Sequence, residues 1–269
     1  MTDRVTVSIE RGVADVRLAR ADKLNALDLP MFQALIETGR SLCDDPGLRA
    51  VVLSGEGRAF CAGLDVKSFA AMAGRGDGER GPSLFERSDE SPANLAQRAA
   101  WIWKELPVPV IAAVHGVCYG GGLQIAAAAD LRLVAPDAQL SVREVHWGLI
   151  PDMSGTQTLR HLVPLDVAKE LTYTARIVSG TEAVALGLAT RSGERPYEEA
   201  LELAREIAGR SPHAVRAAKR LLDAAAVSSV EDGLRLEEKL QRSLIGQPNQ
   251  VEAVRANMEK RAPKFEDPA

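Results

Sequence analysis

The chain is poor in cysteine, poor in aromatic side chains and free of long apolar runs. Its three cysteines, Cys43, Cys61 and Cys118, are odd in number and widely spaced. They make neither a disulfide framework nor a metal-ligand pattern, so no metal site is expected. They read instead as small buried hydrophobes in a reducing, cytoplasmic setting. No stretch approaches the roughly 20 apolar residues that cross a bilayer, so no membrane partner is expected. The opening MTDRVTVSIE carries charges where a secretory signal would have its apolar segment. A formal net charge of −4 and the lack of a broad basic face argue against nucleic acid as a partner. No G-x-G-x-x-G opens a helix, which excludes the dinucleotide fingerprint. Internal repeats and low-complexity tracts are missing too.

What is there reads as an α/β chain. Residues 4–18 alternate apolar and polar about Gly12 and predict a β-hairpin. Residues 30–43 have helical spacing, and 49–54 (RAVVLS) predict a short buried strand. Residues 70–95, rich in Gly, Arg, Ser, Asp and Pro, predict a charged excursion over the surface. A helix is expected near Trp101, on which Trp101 and Trp103 cannot both face the core. Further strands are expected at 108–114, 131–134 and 139–142. From Ser154 onward the pattern is mostly helical, with Ser211-Pro212 as a helix start and helical periodicity at 213–222 and 230–245. Strand–helix repeats followed by a run of helices imply a core over residues 1–195. Residues 196–269 then form a helical region that packs on that core or on a neighbouring subunit.

Two glycine-containing turns follow two of the buried strands. The first is AFCAGLD (59–65), after 49–54. The second runs from His115-Gly116 to Gly120-Gly121-Gly122, after 108–114. Each can bring a backbone N–H close to a ligand, because glycine allows left-handed backbone and close approach. Two such donors meeting on one oxygen make an oxyanion hole. A glycine run before a helix also fits plain tight packing.

Read together, these stretches resemble the crotonase superfamily of enoyl-CoA hydratases and isomerases. The resemblance rests on LARADKLNALD (18–28), RAVVLSGEGRAFCAGLDV (49–66), VPVIAAVHGVCYGGGLQIAAAADLRL (108–133), AQLSVREVHWGLIPDMSGTQTL (138–159) and ARIVSGTEAVALGLA (175–189). It implies a crotonase-like spiral of ββα units with a C-terminal helical region. The implied substrate is an acyl-CoA, with no separate cofactor, and the implied assembly is a homotrimer or a dimer of trimers. It further implies that the thioester oxygen sits between the amides of Leu64 and Gly121, with Ala62 and Gly63 lining the substrate site.

The acids distinguish reactions within the family. By the resemblance, hydratases hold one glutamate where this chain has Gln124 and another where it has Glu144. Glutamine can orient a water but cannot take its proton. A single glutamate at the Glu144 position serves enoyl isomerases, and dienoyl-CoA isomerases add a carboxylate at the position of Asp152. Those isomerases carry aspartate where Gln124 stands, which is a departure here. Glu144 and Asp152 are therefore the candidate catalytic pair, with the division into acid and base left open. Gln124 reads as a neutral polar group lining the site. Asp152 also fits a cap for a helix beginning near Ser154. Lys23 and Lys264 match positions that meet CoA phosphates, and each also fits an ordinary surface lysine. His115 reads as a structural hydrogen-bonding group, and His146 as packing or a lining residue. Asp65 reads as a brace for its turn. Three functions remain open: an isomerase of unsaturated acyl-CoA, with the dienoyl type preferred, a 2-enoyl-CoA hydratase, and a non-catalytic acyl-CoA-binding protein.

Overall fold

The computed structural model describes residues 3–65, 84–89 and 91–268. Most of the expected excursion at 70–95 therefore lies outside the described residues. The hairpin forms as β1 (Val5–Glu10) and β2 (Val13–Leu18), antiparallel. Arg11 and Gly12 both have positive φ, the pairing that matches a two-residue turn to strand twist. From β2 the sheet continues in parallel through β3 (Ala50–Gly55), β4 (Val110–Val114), β6 (Leu131–Val134) and β9 (Arg191–Ser192). A second sheet joins β5 (Val117–Tyr119), β7 (Gln139–Ser141) and β8 (Val178–Ser179).

The spiral is visible in how the chain alternates between these sheets. β3 leads to Cys61, which bridges Cys118 of β5, while β4 leads to β5 and β6 leads to β7. Each turn thus lays one segment in the large sheet and the next in the small one.

Helix α1 (Leu29–Cys43) starts at Asp28, whose side chain accepts from Met31 N–H, and buries Met31, Phe32, Leu35, Ile36 and Leu42. Gly39 is required on that face, since a Cβ there would lie 2.3 Å from Ile102 Cγ1 of α2 (Leu95–Glu105). Asn94 and Gln97 close a capping box at the start of α2. Trp103 is buried and Trp101 half-buried, as two residues apart on one helix requires. Helix α3 (Gly121–Ala128) is buried along its whole length, and its one polar side chain is Gln124.

The central strands β3 and β4 are buried throughout because both faces of the sheet are covered there. Val51, Leu53, Val110, Ala112 and Val114 join the large core under α1 to α3. Their neighbours Ala50, Val52, Ile111 and Ala113 face Ala200, Ala204 and Ala208 of α7 (Pro196–Ala208). Three alanines at four-residue spacing let that helix lie close. The first helix of the expected C-terminal region is thus a component of the core.

Between these lie α4 (Gly155–Leu162), α5 (Leu165–Thr174) and α6 (Gly180–Ala185), followed after α7 by α8 (Pro212–Ala225), α9 (Val230–Leu244) and α10 (Pro248–Met258). Ser211 caps α8 as expected. Lys219 ties α8 down through Val108 O at 3.0 Å and Asp130 at 2.7 Å. Helix α9 buries none of its residues. Among the described residues no helix is long and apolar enough to cross a membrane.

Candidate active site

The first turn is built by a side chain that carries no chemistry. Asn25 is fully buried with φ +55°, a conformation asparagine tolerates better than most residues. Its Nδ2 donates to Glu56 O at 2.9 Å and Ala59 O at 2.8 Å, and its Oδ1 accepts from Arg20 N–H at 2.8 Å. These bonds fix the loop between β3 and Ala62. Arg20 then reaches Asp65 at 2.6 Å, so Asp65 does brace its turn. Leu64 pairs in parallel with Leu27: Leu27 N–H donates to Gly63 O at 2.8 Å, and Asp65 N–H to Leu27 O at 3.0 Å. That register employs the groups on either side of Leu64. It leaves the Leu64 N–H without a backbone partner among the described residues.

The second turn stands against the first. Tyr119 N–H donates to Cys61 O at 3.0 Å, and Gly120 N–H to Ser141 O at 2.9 Å. Gly121 opens α3, so its N–H is one of the donors that has no acceptor inside the helix. Gly63 has φ +87°, and a Cβ there would lie 2.8 Å from Tyr119 O and 3.7 Å from Gly121 N. The two turns therefore approach at a distance only glycine permits. They share the wall of a cavity of about 470 Å³.

Glu144 begins a 3-10 turn (Glu144–Trp147) after β7 and enters the same cavity, buried. Its Oε1 accepts from Gln124 Nε2 at 2.5 Å. Its Oε2 is buried with no hydrogen-bond partner. Burial raises the Glu144 pKa above the ordinary carboxylate value; a backbone bond of its own and the Gln124 donor oppose that shift, and the charge of Asp152 adds to it. Asp152 lines the cavity as well. The residue as a whole is exposed, yet partial burial of its carboxyl raises its pKa too. The result is two carboxyls with raised affinities for protons on the wall of the cavity that Leu64 and Gly121 also line.

Ala62, Gly63, Leu64, Gly121, Glu144, Asp152 and Lys23 all line this one cavity. Gln124 and Lys264 do not. Gln124 lies behind Glu144, where its Oε1 accepts from Met153 N–H and Gly155 N–H, both at 2.8 Å. Its oxygen is filled by backbone donors, so the expected lining role gives way to one inside the wall. Lys264 lies on the chain beyond α10, its N–H bound to Glu252, beside a different cavity with Arg255 and Arg261. Asp152 does not cap α4; Ser154 holds the cap position, with no side-chain bond to the helix. His115 Nε2 lies 3.0 Å from Gly57 O, a structural contact. His146 packs edge-on against Trp147, and it is Trp147 that lines the cavity. Cys61 and Cys118 are buried, and burial pushes the Cys61 thiol up to about 12, so it stays neutral. Among the described residues no cluster of His, Cys, Asp or Glu could hold a metal.

Residues that sequence reasoning missed include Phe32, Arg143, Met153 and Trp147, all on the cavity wall, and Asn25 behind it. Asn25 had a local signal, an asparagine between Leu24 and Ala26 in a stretch that must turn. Phe32 and Met153 had none, being ordinary apolar residues until the fold brings them together.

The family model described as enoyl-CoA hydratase/isomerase matches residues 8–268. A probable enoyl-CoA hydratase of Bacillus subtilis is 34% identical over 248 residues, which is 90% of each chain. The peroxisomal Delta(3,5)-Delta(2,4)-dienoyl-CoA isomerase of Arabidopsis thaliana is 32% identical over 249 residues, covering 91% of this chain and 90% of that one. The crystal structure of an enoyl-CoA hydratase from Bacillus anthracis superimposes with a TM-score of 0.87 at 30% identity, covering 97% of this chain and 98% of the other. On its fold and its sequence alike, the chain belongs to the enoyl-CoA hydratase/isomerase family and has the crotonase-like α/β spiral.

Proposed function

We propose that the protein shifts double bonds of an unsaturated acyl-CoA, with a 3,5-dienoyl-CoA as the preferred substrate. One observation carries this reading. Three carboxyls share the cavity with Leu64 and Gly121; Asp65 is paired with Arg20 at 2.6 Å, which leaves Glu144 and Asp152, while the side chain behind them, Gln124, is an amide already engaged with Glu144 and the backbone.

The steps follow from that arrangement. The thioester oxygen accepts from Leu64 N–H and Gly121 N–H. One carboxylate removes a proton from C2, and the electron pair of that C–H bond spreads along the diene and onto the oxygen. Two preorganised donors stabilise this enolate, each worth about 3–4 kcal/mol of barrier. The other carboxyl delivers its proton to C6, giving a 2,4-dienoyl-CoA. The two carboxyls have then exchanged protonation states, and one proton passing from the protonated carboxyl to the other, by way of the solvent that Asp152 meets, resets the pair. Raised proton affinity in both suits the work, since one must be protonated while the other is not.

Hydration of a 2-enoyl-CoA is the second reading, favoured by the hydratase name of the Bacillus subtilis relative. The test is a panel of 2-enoyl-, 3-enoyl- and 3,5-dienoyl-CoA followed by ultraviolet absorbance. Rapid appearance of the conjugated 2,4-dienoyl chromophore is expected. Rapid loss of the 2-enoyl chromophore would establish hydration instead. No turnover of any of the three would leave acyl-CoA binding alone. Assembly into trimers is part of the same proposal, supported by exposed Leu222, Val227, Val230 and Leu234 on and around α8 and α9.

A further inference from the structure

We propose that Gln124 is a positioning residue: anchored by the amides of Met153 and Gly155, it holds one oxygen of Glu144 and so confines that group's transferable proton to the other oxygen. The inference deepens the reading of Glu144 as a proton-moving group and rests on it.

The geometry leaves the amide a single orientation. Two backbone N–H groups, from Met153 and Gly155, point at one end of the Gln124 side chain, each at 2.8 Å. Between them Ser154 has φ +65°, a left-handed residue of the kind that turns flanking N–H groups toward one acceptor. An NH2 group cannot face two donors, so that end is the oxygen. Nε2 then faces Glu144 Oε1, at 2.5 Å. A proton on Oε1 would oppose that donor. It must sit on Oε2, which is buried and has no other partner. The same amide ties Glu144 to the turn that carries Asp152, one residue before Met153.

The space around the clasp is closed. Gln124 is 3% exposed, and a Cβ on Gly155 would lie 2.5 Å from its Oε1. Glutamate at 124 would satisfy Met153 and Gly155 and set a second acceptor against Glu144 Oε1. The pair would then have to share a proton. Methionine would fill the volume and offer nothing to either side.

The full-length variants Gln124→Met and Gln124→Glu, with Glu144→Gln as reference, separate the possibilities. Two readouts are needed: the Glu144 carboxyl titration by ¹³C NMR, which requires no turnover, and the pH dependence of kcat and KM with 3,5-octadienoyl-CoA. In Gln124→Met, kcat should fall about 10- to 100-fold, as for other lost supports of an active group, with KM within about threefold. Its Glu144 should titrate at higher pH than in the wild type, because the lost donor favoured the carboxylate. In Gln124→Glu the midpoint should move further up, and the limb of the pH profile that Glu144 governs should move with it. A wild-type titration and pH profile in both variants would overturn the proposal, as would a fall in kcat with the titration unmoved, which is the mark of packing alone. Full activity in Glu144→Gln would instead remove Glu144 from the chemistry, the failure of the reading beneath it.

Discussion

Gly63→Ala perturbs the amide pair without touching either donor. Position 63 has φ +87°, where an L side chain costs about 1–2 kcal/mol. The new Cβ would lie 2.8 Å from Tyr119 O. Ordinary C···O contacts begin near ~3.3 Å, so something must move by about 0.5 Å. Tyr119 is held on both sides, its own N–H to Cys61 O at 3.0 Å and the next N–H to Ser141 O at 2.9 Å. Gly63 is held as well, its carbonyl accepting from Leu27 at 2.8 Å. Relief of the clash therefore has to tilt the Gly63–Leu64 peptide against its Leu27 bond, and the Leu64 N–H, in the same plane, moves with it. Oxyanion donors act at about 2.7–3.1 Å, so a displacement of that size takes one out of range. The expected loss is about 10²–10³ in kcat, or roughly 2.7–4 kcal/mol. Steady-state kinetics with 3,5-octadienoyl-CoA reads the loss, and calorimetric melting confirms that the variant is folded. Gly57→Ala is the control: its φ is +76°, its Cβ would lie 2.8 Å from Ala21 Cβ, and it does not line the cavity. It should lose comparable stability and keep its kcat. A folded Gly63→Ala with kcat within about threefold of wild type would refute the claim that the amide pair stabilises the reacting oxygen.

Three further outcomes are expected. Glu144→Gln should lower turnover by about 10²–10⁴ and raise thermal stability at alkaline pH. The folded carboxyl binds its proton more tightly than the unfolded one, whose value is 4.5, so its contribution is intact below that pH and is lost as pH rises through the higher folded value. Melting temperatures should thus converge near about pH 4 and favour the variant near about pH 8; equal melting at both would show that Glu144 is not desolvated. Asp152→Asn should abolish dienoyl isomerisation and leave acyl-CoA binding measurable by titration calorimetry, and retained activity would take Asp152 out of the mechanism. Asn25→Ala should lose about 2–3 kcal/mol in urea unfolding, because Ala59 O is left buried and Glu56 O half-buried without a donor, and a loss under ~0.5 kcal/mol would mean that another group replaces it.

The parts of the site legible in the sequence are those fixed by chain direction. β3 and β4 are parallel neighbours, so the turns leaving them emerge at the same end of the sheet, and Leu64 and Gly121 line one cavity for that reason. Gln124 was legible as polar among alanines, but not as a clasp. Its partners Glu144, Met153 and Gly155 come from segments 20 to 31 residues away, and their convergence depends on how the second sheet hands the chain to α4. The same limit applies to α7. Ala200, Ala204 and Ala208 mark a helical stripe, yet alanines bury as readily against a neighbouring subunit as against this sheet. Lys264 shows the opposite error: its charge suited a phosphate, and the chain carries it to a separate surface beside Glu252.

The most direct measurement is a single turnover of 3,5-octadienoyl-CoA in heavy water, with the product located by mass and by NMR. If Glu144 and Asp152 work as a pair, the proton leaving C2 and the one reaching C6 are different protons. The product should then be a 2,4-dienoyl-CoA carrying one deuterium at C6 and no added oxygen. An unlabelled product, or a 3-hydroxyacyl-CoA, would contradict the account.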